Sequence, residues 1–180
     1  MLSILLLIVN TVATILGGVL LLRFWMQAVR VRPPASVAQF TFTLSDWLVR
    51  PLRRLVPGMG GYDWASLIGA LLVVALATTA YFLIGFTGEM VGVKILYRFL
   101  TWIIYGLMAL LIVEAVFSWV NPHAPLAPFV RALNDPMLRP LRRVVPPLGG
   151  LDLSMLVALI LLQIAQIALA ELFPAFASAY

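Results

Sequence analysis

The chain has 180 residues, of which 63% are hydrophobic and only 11% charged, and its mean hydropathy is +1.08. Soluble domains use roughly 45–50% apolar and about 25% charged residues, so this composition excludes a water-soluble globular fold and points to a bilayer. The absence of cysteine excludes disulfides, thiolate metal sites and covalent haem attachment, and the net charge of +5 comes from arginine apart from Lys94.

The first apolar stretch, roughly Leu2 to Gln27, is uncharged until Arg23. It exceeds the about 20 residues that a helix needs to cross a hydrocarbon core. With no basic segment before it, and longer than the roughly 7–15 residues of a signal-peptide core, it reads as a retained span. The connector after it carries Arg30, Arg32, Arg50, Arg53 and Arg54, and Val37, Phe40, Leu44, Trp47 and Leu48 recur in it at helical spacing. That pattern predicts an amphipathic helix in the interface. Pro51 fits the first turn of a new short helix that Pro57 would end. Gly60-Gly61 then permits a tight reversal, and Asp63 is predicted to N-cap the next helix.

The second span is predicted from Trp64 to about Phe86, and the short connector after it has only Glu89 and Lys94 as charges. A third span follows over Ile95 to Val120, with Arg98 near its start and Glu114 inside it. The next connector repeats the earlier pattern. Leu126, Phe129, Val130, Leu133 and Met137 supply the amphipathic face, Pro140 the new turn, Pro146 its end, Gly149-Gly150 the reversal and Asp152 the N-cap of a last span, Leu153 to about Phe173. Trp25, Trp64, Trp102 and Trp119 lie near span ends, where aromatic rings favour the membrane interface.

The two halves are therefore a duplication. Arg50-Pro-Leu-Arg-Arg-Leu-Val-Pro57 with Gly60-Gly-Tyr-Asp63 returns as Arg139-Pro-Leu-Arg-Arg-Val-Val-Pro146 with Gly149-Gly-Leu-Asp152, and Phe40 and Asp46 correspond to Phe129 and Asp135 without gaps. The fold expected is all-α and membrane-embedded: four transmembrane helices as two parallel two-helix repeats, residues 1–90 and 91–180, each with an amphipathic cytoplasmic segment. The positive-inside rule puts both arginine-rich connectors in the cytoplasm and both termini outside. A pseudo-two-fold axis would then run along the membrane normal.

The doubled P-L-R-R-x-x-P followed by Gly-Gly-x-Asp, together with Trp119-Val-Asn-Pro122, resembles the YggT family of bacterial membrane proteins and their YlmG-type chloroplast relatives. The first half departs from it at Arg32-Pro33-Pro34, where the second has Asn121-Pro122. The resemblance implies a small multi-pass protein of the bacterial inner membrane with no common catalytic chemistry. Its relatives are linked to osmotic tolerance, cytochrome maturation and nucleoid or division-associated organisation.

Residue chemistry agrees with a non-enzyme. His123 is the sole histidine, the serines Ser66 and Ser154 have no histidine base, and Gly58-Met-Gly-Gly61 lacks the lysine of a phosphate loop. No cofactor or metal is expected. Arg53, Arg54, Arg142 and Arg143 form the candidate surface for anionic phospholipid or a membrane-protein partner, nucleic acid being the less favoured target because these charges adjoin the spans. Their bland reading is topology and anchoring. Gln163 and Gln166 share one face of the last span, for helix packing or a polar lining. Arg23 and Glu114, of opposite charge and comparable depth, are expected to pair across the repeat interface. Two functions follow: a scaffold or assembly factor with a basic cytoplasmic platform, or an oligomeric channel or transporter component for ions or osmolytes.

Overall fold

The protein is described by a computed structural model over residues 2–56, 58, 60–80, 87–145 and 152–177. These residues form α1 (Leu2–Ala28), α2 (Ala35–Leu55), α3 (Trp64–Thr79), α4 (Gly88–Val120), α5 (Ala127–Arg142), α6 (Leu153–Leu172) and the single turn α7 (Pro174–Ala177), and no strand occurs among them. Helices α1, α4 and α6 are long and apolar enough to cross a membrane, while α3 is a shorter apolar helix. Its 16 residues rise about 24 Å against a hydrocarbon core of about 30 Å. The expected continuation toward Phe86, the stops at Pro57 and Pro146 and the pair Gly149-Gly150 lie outside the described residues.

Each half folds as a triangle of helices. In the first, α1 packs on α3 and both hold α2, and in the second α4 packs on α6 and both hold α5. The halves meet where α1 and α3 lie against α4. Small residues set that approach. A Cβ at Gly17 of α1 would overlap the indole of Trp102 on α4, so only glycine lets the ring lie against the α1 backbone. Trp102 is thus buried between helices and does not sit in an interfacial belt, because Gly17 offers it a flat apolar seat. A second link is polar: Trp25 Nε1 of α1 donates to the carbonyl of Leu133 on α5 at 3.0 Å.

The amphipathic helices form as expected, but neither proline starts a new helix. Pro51 lies inside a continuous α2, and Pro136 and Pro140 inside α5. An internal proline removes one backbone hydrogen bond at a cost of about 3 kcal/mol. Side-chain pairs bridge the break: Arg50 bonds Asp46 one turn back at 2.8 Å, and Arg139 bonds Asp135 likewise at 2.8 Å. The small face of α2, Thr41, Ser45 and Val49, is buried, whereas Phe40, Leu44 and Trp47 point outward. Of the bulky stripe only Leu48 packs against the core, and the buried side of α2 carries the small polar residues that make polar contacts.

The reversal before α3 uses glycine as predicted, with φ of 68° at Gly60 and 81° at Gly61. Helix α1 ends with Val31 N–H bonding Met26 O at 2.9 Å and Arg30 N–H bonding Gln27 O at 3.0 Å. That is a Schellman motif, in which the left-handed position is normally glycine. Here it is Arg30, at φ 60°.

Candidate functional site

The sharpest chemistry lies where α2 and α5 meet the ends of the spans. In the first half Arg23, 5% exposed, donates from Nη1 to Asp46 and to Ser45, both at 2.7 Å. Its Nε stands 3.5 Å from Asp63 Oδ2, and its guanidinium lies 4.8 Å from the Phe42 ring centre. Asp63 also accepts from Arg53 at 2.6 Å and from Ser66 Oγ at 2.6 Å. Burial pushes the Asp63 carboxyl up, but hydrogen bonds from Arg53 and Ser66 and the charges of Arg53 and Arg23 outweigh it and hold it below the usual range. The hydrogen bond from Arg23 does the same for Asp46. Both carboxyls are thus anionic partners for a fixed set of guanidiniums.

The second half builds the matching cluster. Arg142 bonds Asp152 at 2.8 Å and Asp135 at 3.2 Å, as Arg53 bonds Asp63. Burial raises the Asp152 carboxyl, and the hydrogen bonds from Arg142 and Ser154 bring it below its ordinary value. Where the first half buries Arg23, this half buries Glu114, which accepts from Asn134 at 2.8 Å and lies 3.5 Å from Arg142 and 3.9 Å from Arg131. Asn134 occupies the position corresponding to Ser45, and Arg131 that corresponding to Phe42.

The expected Arg23–Glu114 ion pair is not formed. Each charge is satisfied by opposite charges of its own half, which α2 and α5 bring close. Asp63 and Asp152 both stand at N-caps, but only Asp152 caps with its side chain, accepting from Ser154 N–H at 3.0 Å. Asp63 turns its carboxylate to the arginines instead. Of the four candidate surface arginines, Arg53 and Arg142 are engaged with carboxylates, while Arg54 and Arg143 are exposed and make no ion pair among the described residues. Gln163 is exposed on α6 and Gln166 half-buried. Within the spans Arg98 joins three helices, donating to Asn10 of α1 at 2.9 Å and Thr78 of α3 at 3.2 Å. The signal for it was a lone arginine in an apolar run, a residue that must find partners.

No group of three or more His, Cys, Asp or Glu side chains that could hold a metal occurs among the described residues. The described residues are all-helical outside their connectors, and three helices long and apolar enough to cross a membrane, with arginine-aspartate clusters at their ends, give the chain the character of a membrane protein. The CCB3/YggT family model matches residues 2–84 and 93–173, and the chain belongs to that family. It is 31% identical to "Uncharacterized protein YggT" of Escherichia coli K12 over 93% of this chain and 90% of the relative. It is 35% identical to an uncharacterized protein of Pseudomonas aeruginosa over 87% of this chain and 83% of that one. A Vibrio alginolyticus protein, named only by its place in the proC 3′ region, is 30% identical over 92% of each chain. No solved structure matches.

Proposed function

We propose that this protein is a non-enzymatic scaffold or assembly factor of the bacterial inner membrane, whose two repeats present a basic cytoplasmic platform to anionic lipid headgroups or membrane-protein partners. The chain would cross the membrane four times with both termini outside, residues 1–90 and 91–180 forming the repeats. A contribution to osmotic tolerance would follow indirectly from the assemblies it holds. The observation that carries the reading is the direction of the charges. Asp46, Asp63, Asp135 and Asp152 are tied to guanidiniums, Asp63 in the interior, while Arg50 and Arg139 are 77% and 73% exposed and Arg54 and Arg143 stand free of ion pairs among the described residues. Positive charge therefore faces outward, where anionic headgroups lie. The two segments matched by the family model fall one in each half and support the repeat organisation.

Lipid retention tests this reading. Purified protein offered mixed phosphatidylcholine and phosphatidylglycerol micelles should retain the anionic lipid. Because each basic residue near an anionic surface contributes about 1 kcal/mol, Arg54→Gln with Arg143→Gln should lower that preference about tenfold or more while leaving the helices folded. Unchanged selectivity would reduce these arginines to topology signals. Solute flux in liposomes that Gln163→Leu and Gln166→Leu abolish would speak for transport instead.

A further inference from the structure

A cavity of about 580 Å³ opens between the end of α1, the connector over residues 29–34 and α2. Five arginines bound it, Arg23, Arg30, Arg32, Arg50 and Arg53, with Asp46 as the acidic residue of its wall. We propose that this cavity binds one phosphate group, carried on a lipid headgroup or free in solution, and that only the first repeat has such a site.

Preorganisation is the first argument. Asp46 fixes Arg23 at 2.7 Å and Arg50 at 2.8 Å, and Asp63 fixes Arg53 at 2.6 Å, so three guanidiniums are held in position before any ligand arrives. Arg23 is more than nine-tenths buried, and its Nε, 3.5 Å from Asp63 Oδ2, makes no hydrogen bond. Arg30 and Arg32 are exposed and make no ion pair among the described residues. Counting Asp46 and Asp63 against the five arginines leaves a surplus of positive charge at one spot. A phosphate, with several acceptor oxygens and up to two charges, matches converging forked guanidiniums better than a single carboxylate does.

The second repeat supplies an internal comparison. Glu114 is surrounded there by Arg131, Asn134 and Arg142, which correspond to Phe42, Ser45 and Arg53, and Phe42 and Arg53 both border the cavity. The second half thus carries a carboxylate of its own beside these positions. The first half has Arg23 in its stead and adds Arg30 and Arg32 from a connector whose counterpart, around Asn121-Pro122, has no arginine. Arg30 even takes the left-handed position at the end of α1, where glycine would be the least strained choice.

The test uses the full chain in detergent. Calorimetric titration with inorganic phosphate covers the free ion, and native mass spectrometry with phosphatidic acid against phosphatidylcholine micelles covers the headgroup. Binding of either, at one per chain, is expected. Phosphate binding alone identifies a soluble ligand, and phosphatidic acid retention alone identifies a lipid. Arg30→Gly with Arg32→Gln should weaken binding about tenfold or more, and because glycine suits the backbone at position 30, lost binding would not reflect lost folding. Arg54→Gln with Arg143→Gln, outside the cavity, should leave the calorimetric phosphate titration unchanged while lowering phosphatidic acid retention only through the general surface. The proposal rests on the platform reading only for a lipid source, and the two fail separately. Loss of general anionic-lipid preference in the second variant with intact phosphate binding sinks neither the site nor its location. No binding of either ligand, equal binding by the Arg30 and Arg32 variant, or two phosphates per chain would overturn it.

Discussion

A buried arginine in a membrane helix decides much of the local geometry around it. The burial of the Arg23 guanidinium is tolerated because Asp46, Ser45 and Asp63 surround it. Glu114 is served in the opposite sense by Asn134, Arg142 and Arg131. The partners are local to each half, and that has a measurable consequence. Arg23→Glu would set a third carboxylate beside Asp46 and Asp63, and Glu114→Arg would add a cation beside Arg131 and Arg142. Each reversal should cost about 3–5 kcal/mol, the usual loss on breaking a buried pair. The double swap should be as poor as the sum of its parts, read as folded yield by size exclusion and as the midpoint of denaturation in detergent. Recovery of the double swap to near the unaltered protein would show the two charges to be in contact after all.

At the scale of elements, the interface between halves depends on how closely α1 approaches α4. Gly17 makes that approach possible because the Trp102 ring fills the space where a side chain would be. Gly17→Val should force the ring out of its seat and destabilise the docking of α1 on α4 by about 1–3 kcal/mol, as overpacking of a close-packed core does. Gly18, against which nothing lies within 4 Å, is the matched control. Equal melting temperatures for Gly17→Val and Gly18→Val would remove the close approach from the account. Helix α2 makes a related point about faces. Its bulky residues marked an amphipathic helix correctly, yet the buried face is the one with Thr41 and Ser45, because Arg23 needs polar neighbours and the aromatic stripe has lipid to meet.

For the whole molecule the proposed platform predicts an orientation. With both arginine-rich segments on the cytoplasmic side, a cysteine at Gly58 should resist an impermeant thiol reagent in intact cells, and a periplasm-dependent reporter fused after Tyr180 should be active. Labelling at position 58 with a silent reporter would invert the orientation and turn the basic surface away from the cytoplasm.

Membrane-length apolar helices, the amphipathic segments between them and the arginine motifs beside them were legible in the sequence, because apolar run length and charge placement are one-dimensional properties. The continuity of α2 through Pro51 was not, since the packing of α2 on α1 and α3 that holds the helix together is a tertiary property. The seat of Trp102 was equally hidden, as an indole near a span end reads as an interface anchor until a glycine on another helix lies opposite it. Composition and motifs by themselves determined the family this chain belongs to and where its charges fall along the chain. Only the tertiary structure decided which charge neutralises which, because a buried ion takes the nearest opposite charge in space, and α2 and α5 carry it there.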